Sequence, residues 1–382
     1  MDDQDYGKQA AVKKRAFIVL GMHRSGTSSV AGVLTLLGAA PPRTLMAAAA
    51  DNPKGFFESR LVGELNDRIL QAGGSSWDDW RHFDPDVLSA DAAQAFREEI
   101  RATLKQEFAD DAVIVLKDPR LCRLYPIWEG VLEEEGYQAE FVLPIRSPLE
   151  VARSLNRRNG MPIAAGLLLW LRHVLEAEKL TRDRPRRILP WRVFMKDWRS
   201  EMALIRHTLN WDVEITETRA DDIDAFLSVD LQHEVVPDRS LGSDPEAHSW
   251  AQDAYEALLD LAATSDDVSD PLNRLDRVET AFEVACQLYG RVYQSLVQRI
   301  GQLEAERAAS ELCIPEELHE YLTEKDQALA RQGRIDRARA LVADLATVTA
   351  TARDVQDAFE LALERSEAYA QRIRTVRKRH AV

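Results

Sequence analysis

The segment Gly21, Met22, His23, Arg24, Ser25, Gly26, Thr27, Ser28 lies between a short apolar run at residues 16–20 and the series Val30, Val33, Leu34, Leu37, which repeats at helical spacing. A strand, a glycine-bracketed loop and a helix start in that order bring several backbone N–H groups and the positive end of a helix dipole to one point, which makes a phosphate cradle. A Gly-x-x-x-x-Gly turn alone would merely join strand to helix. The strand-to-helix setting and the cation of Arg24 are what add chemistry. Arg146 follows another apolar run, residues 140–145, and Ser154 stands eight positions later. Ser147 and Pro148 open a helix there, with Glu150 placed to complete a capping box, so Ser154 falls two turns along the face of residue 147 and Arg146 stays at the helix mouth. A guanidinium and a hydroxyl so arranged suit a dianionic phosphate through charge-assisted contacts. Apart from the loop, the same two residues would read as a structural ion pair and an incidental helix serine.

Two further groups surround these. Lys117, Asp118, Pro119 and Arg120 follow the apolar run 112–116, so that Lys117 offers a second cation, while Asp118 at a strand end offers the alternative of a magnesium ligand. Asn52, Pro53, Lys54, Gly55, Phe56, Phe57 and Glu58 form a turn and an aromatic pair leading into a helix that carries Leu61, Leu65 and Ile69. A hydroxyl is a poor nucleophile at neutral pH and needs a carboxylate or imidazole within reach to accept its proton. Glu58 is the first candidate, with His23, His82 and Asp118 as the others; a glutamate at a helix start is also favourable on electrostatic grounds alone. Trp77, Asp78, Asp79, Trp80 and His82 offer aromatic faces and carboxylates to a second substrate, against the commoner role of such tryptophans in packing.

The loop resembles the P-loop of nucleotide triphosphatases, yet Thr27 stands where the lysine that reaches the β/γ-phosphates belongs, which weakens a kinase or GTPase reading. Arg24, Ser25, Gly26, Thr27 is more similar to the 5′-phosphosulfate loop of the sulfotransferase superfamily, in which Arg or Lys precedes Ser/Gly-Gly-Thr. The Arg146/Ser154 spacing resembles that superfamily's 3′-phosphate pair. The resemblance spans about residues 15–235 and rests on the four segments above. It implies an α/β fold, a central parallel sheet of roughly five strands flanked by helices. It implies that Arg24, Ser25, Gly26, Thr27, Ser28, Arg146 and Ser154 hold 3′-phosphoadenosine-5′-phosphosulfate (PAPS) and its product PAP. Lys117 would reach the bridging or sulfuryl oxygens, Glu58 would act as base, and no metal would be needed. The histidine base and C-terminal Arg-Lys-Gly motif of the cytosolic aryl and steroid branch have no match. That points to the glycan-type or bacterial branch, with a hydroxyl of a carbohydrate, glycolipid or similar compound as acceptor. The other functional classes are an interaction protein on an inactive core of this type and, with less support, a P-loop kinase.

The elements that must position these residues follow from patterning. Apolar runs at 16–20, 112–116 and 140–145 are short enough for buried parallel strands, and helices alternate with them. A helix around 167–179, a strand at 187–195 and a helix at 199–209 extend the core. The expected organisation is a polar tail at 1–14, a sulfotransferase-like domain at 15–238, a linker with one helix at 239–270 and a helical extension at 271–382. In the extension, stripes at three-and-four spacing (Leu275, Val278, Phe282, Ala285, Val292, Leu296, then Leu341 to Val376) predict two long helices broken near Pro315. They would form a hairpin within one chain or a coiled coil that makes a homo-oligomer. With 45% hydrophobic and 30% charged residues the chain is of globular composition. A net charge of −15 argues against nucleic acid or an anionic membrane as main partner. Only Cys122, Cys286 and Cys313 occur, which suits neither a disulfide framework nor a zinc site and predicts a reducing, cytoplasmic setting. Residues 1–15 lack the apolar stretch of a secretory signal.

Overall fold

The computed structural model describes residues 14–48, 52, 54–227, 249–263 and 267–312 of the 382-residue chain. Four strands, β1 (Lys14–Val19), β2 (Val113–Lys117), β3 (Tyr137–Ile145) and β4 (Arg186–Pro190), form a parallel sheet in the order β2-β1-β3-β4. The resemblance implies about one strand more than the described residues contain. Phe17, Ile18, Val115, Leu116, Phe141 and Val142 are fully or almost fully buried, as expected of strands covered on both faces. The register pairs Val19 with both Lys117 and Val142, so the loops after β1, β2 and β3 leave the same edge of the sheet. Because β2 and β3 lie on opposite sides of β1, a crevice opens at the carboxyl ends of the strands, where open α/β sheets hold ligands.

The helices are α1 (Thr27–Leu36), α2 (Arg60–Ala72), α3 (Ala90–Phe108), α4 (Leu121–Glu134), α5 (Pro148–Asn159), α6 (Ile163–Thr181), α7 (Trp191–Lys196), α8 (Trp198–Thr208), α9 (Glu217–Phe226), α10 (Ser249–Ala263) and α11 (Ser269–Leu312). Patterning misses α3, whose buried apolar stripe is only Ile100, Leu104 and Phe108, and α4, which carries Pro126 in its interior. The strand predicted at 187–195 is corrected. It stops at Pro190, and Trp191 begins α7, whose last residue precedes Asp197, the cap of α8 that accepts from Ser200 N at 3.1 Å.

The chain divides into two compact units, Met1–Thr280 and Ala281–Val382. The first extends past residue 238 because α10 covers the sheet edge. Tyr255 packs edge-on against Trp170 at 6.2 Å between ring centroids, and Arg187 donates to Ala262 O at 2.8 Å. In the second unit the helix α11 runs on to Leu312, exposing Leu288, Val292, Leu296 and Ile300. The predicted second long helix, the break at Pro315 and the tail before Lys14 lie outside the described residues, as do residues 239–248 and 264–266 of the linker. No helix among the described residues is long and apolar enough to cross a membrane.

Glu140 is a charged residue inside this sheet. It is buried in β3, its Oε1 lies 3.3 Å from Arg15 Nε, and its Oε2 has no hydrogen-bond partner. Burial pushes its carboxyl up to about 7, with Arg15 opposing. An acid whose proton is held more tightly in the folded state makes the fold lose stability as pH rises from the unfolded value through the folded one. Glu140→Gln should therefore gain melting temperature relative to the parent chain as pH goes from 5 to 8. Thermal scans at the two pH values check this; a gain that shrinks with pH contradicts it.

Candidate active site

The loop between β1 and α1 reaches its shape through two left-handed residues, Arg24 at φ 70° and Gly26 at φ 86°. Gly26 is needed twice over, for this φ and because a Cβ there would run into the Trp191 ring. Arg24 has no such freedom, and its strained backbone is of the kind found where a loop is shaped around a ligand. Thr27, buried at the first turn of α1, turns its methyl towards Gly21. Ser25 Oγ is buried without a hydrogen-bond partner. Buried hydroxyls are rarely left so, and at a strand-to-helix loop this one fits contact with an anion.

The two sequence segments proposed to hold anions meet directly. Arg24 Nε donates to Ser154 Oγ at 2.9 Å, and Arg146 donates through a terminal nitrogen to Arg24 O at 3.2 Å. Ser154 and Arg146 are buried, as the helical placement of residue 154 requires. The capping box at α5 is corrected: the Ser147 side chain caps nothing and its Oγ is buried unpartnered. Glu150 is instead drawn between two guanidiniums, accepting from Arg146 Nε at 2.7 Å and from Arg192 at 2.5 Å. A buried carboxylate with two cations beside it serves charge balance better than it would serve an amide.

Lys117 and Glu58 form a buried ion pair across the cleft. Lys117 Nζ also donates to Phe56 O at 3.0 Å and to Ser28 Oγ at 3.3 Å, while Ser28 Oγ donates to Phe56 O at 3.0 Å and Asn52 reaches Ser28 at 3.3 Å. The segment before α2 is thereby tied to the loop. Phe57, at φ 54°, provides the backbone twist before Glu58. The helix itself is capped one residue later by Ser59, which accepts from Val62 N at 3.0 Å, so Glu58 is free of a capping role. Burial pushes the Glu58 carboxyl above its ordinary range, with the Lys117 ammonium pulling the other way.

The other base candidates fall elsewhere. Asp118 is wholly buried and held by Arg120, whose backbone N donates at 2.9 Å and whose guanidinium donates at 3.0 Å while gripping Asp67 with its other nitrogens. His82 is exposed and bonded to Glu176 at 2.8 Å. His23 does line the cleft; burial and the nearby Arg120 and Arg158 charges push its pKa well down, so it stands as a neutral imidazole. Of the aromatic segment, Trp80 is buried, Asp79 pairs with Arg81, and Asp78 accepts from Ser76. Trp77 meets His23 edge-on at 5.3 Å between centroids. Arg158 and Trp191 line the cleft but stand in none of the sequence motifs. Arg158 had a signal, lying four residues after Ser154 on one helix face; Trp191, read as strand, had none.

No family model matches this chain, and no curated protein matches it. Among solved structures it is similar to the sulfotransferase domain from the Synechococcus PCC 7002 olefin synthase, with 18% identity and a TM-score of 0.36 over 69% of this chain and 93% of that domain. It is also similar to the sulfotransferase domain from the curacin biosynthetic pathway, with 13% identity and a TM-score of 0.33 over 70% and 96%. With TM-scores this low, the chemistry has to come from the cleft itself.

Removing one partner of a buried pair leaves a stranded charge, so Lys117→Met should cost about 3 kcal/mol of unfolding free energy at pH 8. The cost should shrink towards pH 5, because Glu58 without its ammonium takes up a proton more readily. The double variant Lys117→Met/Glu58→Gln should recover most of the loss. Urea titrations at both pH values test this; equal losses in the single and double variants would show the pair to be energetically idle.

Proposed function

We propose that the chain is a sulfotransferase that moves a sulfuryl group from PAPS to a hydroxyl of a carbohydrate, glycolipid or similar acceptor. The observation that carries this reading is the Arg24–Ser154 hydrogen bond with Arg146 on the Arg24 carbonyl, which joins the phosphate loop to the second anion-binding pair in one cleft. On this reading Arg146 and Ser154 hold the 3′-phosphate of the nucleotide, and Arg24 with the loop from Ser25 to Ser28 holds the phosphosulfate. The orphaned Ser25 hydroxyl and the close packing of Trp191 on Gly26 fit a loop kept for an anion rather than a side chain.

PAPS supplies an activated sulfuryl group and a phosphate leaving group when bound. The chain's residues supply the rest. Glu58 accepts the acceptor's proton as the acceptor oxygen bonds to sulfur and the bond from sulfur to the bridging oxygen breaks, giving the sulfate ester and PAP. Lys117, Arg24 and the loop N–H groups meet the charge developing on the leaving oxygen. The raised affinity of Glu58 for a proton makes it a better base than an exposed glutamate, and positioning of the two substrates is the main contribution. The kinase alternative loses support twice, through Thr27 in the lysine position and through Asp118, which is engaged by Arg120.

Ligand that binds only the native state raises its melting temperature by mass action, so PAP should stabilise the chain more than ATP with magnesium does. Arg146→Ala should weaken PAP by about 2–4 kcal/mol, since a buried phosphate loses a charge-assisted partner. Calorimetric titration and thermal shift decide; a larger shift with ATP and magnesium would overturn the reading. Once an acceptor is in hand, Glu58→Gln should lower turnover by roughly 10²-fold with PAP affinity retained. The rate of the parent enzyme should fall on the acid side as Glu58 is protonated, from a pH above the ordinary carboxylate range.

A further inference from the structure

Trp77 is held from behind by two buried arginines of the core. Arg123 donates to Ser76 O and to Ser75 Oγ, each at 2.8 Å, and Arg172 donates to Trp80 O at 2.8 Å. The short segment bearing Trp77 is therefore pinned on both sides of the ring. In front of it lie two groups that the transfer chemistry leaves unused. Arg158, near the end of α5, extends over the Trp77 ring at 5.7 Å from its centroid and lines the cleft. Among the described residues no carboxylate lies within ion-pairing distance of it, whereas most neighbouring arginines of the core are paired. His23, edge-on to the same ring, presents Nε2 buried and without a partner.

Among the described residues the cleft is lined by Arg24, Lys117, Arg146 and Arg158 against the carboxylate of Glu58, in a chain of net charge −15. Local positive charge against that background steers anions to the opening. Arg24 and Arg146 are tied to the loop and Lys117 to Glu58, which leaves Arg158 as the cation at the rim. We propose that Trp77, His23 and Arg158 form the acceptor subsite, and that it selects a hydroxyl compound carrying its own negative charge, of the uronic acid type. The Trp77 ring backs the guanidinium and the imidazole, the neutral imidazole takes a hydroxyl, and the guanidinium takes the carboxylate. This rests on the sulfotransferase reading, because it assigns the space beside the nucleotide to the second substrate.

The test uses the full chain saturated with PAP and two probes that differ only at C6, p-nitrophenyl β-D-glucuronide with a carboxylate there and p-nitrophenyl β-D-glucoside with a hydroxymethyl group, titrated calorimetrically. The glucuronide should bind about tenfold more tightly, the scale of one charge-assisted hydrogen bond. Arg158→Gln should abolish that gap while PAP affinity stays within about twofold, and Trp77→Ala should weaken both probes. Equal binding of the two glycosides, or binding of neither, overturns the subsite. A loss of PAP affinity in Arg158→Gln also overturns it, by assigning the guanidinium to the nucleotide. Failure of PAP to bind the parent chain is a separate result, which removes the sulfotransferase reading itself.

Discussion

Burying a cation at the end of a strand is costly unless a counter-charge is supplied, and this cleft contains two such cations, Lys117 at the end of β2 and Arg146 just after β3. The chain supplies an internal carboxylate to each. Glu58 meets Lys117, and Glu150 meets Arg146 together with Arg192. These pairs decide much of the surrounding architecture. The first draws the segment before α2 across the sheet edge to the phosphate loop, and the second turns Glu150 away from the capping role that its spacing suggests. At α5 one buried carboxylate accepts from two guanidiniums. A cleft lined by Lys117 and Arg146 favours an anion.

Sheet order turns those local pairs into one site. With β1 between β2 and β3, the residues at or just past the ends of the three strands, Gly21, Lys117 and Arg146, come to the same edge although more than a hundred positions separate the first from the last. The Arg24–Ser154 and Lys117–Ser28 contacts are the tertiary result. On the far side of the loop, Trp191 fills the space that Gly26 leaves, so α7 fixes the loop from beneath. That contact explains why a helix is required where the sequence pattern suggests a longer strand.

The sequence carried most of this in readable form, for identifiable reasons. The strands β1, β2 and β3 are apolar runs bounded by charge, and the loop and the Arg146/Ser154 pair are short-range patterns whose geometry follows from helix periodicity. What stayed hidden depends on tertiary context. The cap at α5 looks complete locally, but a buried guanidinium outbids a backbone N–H for Glu150. The end of β4 is invisible because Trp191, Val193 and Phe194 suit a strand as well as a short helix. Asp118 and His82 are indistinguishable from Glu58 as potential bases until Arg120 and Glu176 are seen to occupy them. Arg158 and Trp191 belong to the cleft only through packing, and α4 is disguised by its internal proline.

The Glu58–Lys117 pair also bears on how a base can be both buried and timed. The Lys117 ammonium restrains, without cancelling, the basicity that burial confers on Glu58. On the proposed reading, the anionic nucleotide competes for the same ammonium, through the loop to which Ser28 Oγ already links Lys117. Each increment of Lys117 charge turned towards the nucleotide is withdrawn from Glu58, so the carboxylate's affinity for a proton rises with the arrival of the group to be transferred. Burial has already biased it in that direction. On that reading, base strength and leaving-group stabilisation are both governed by one lysine.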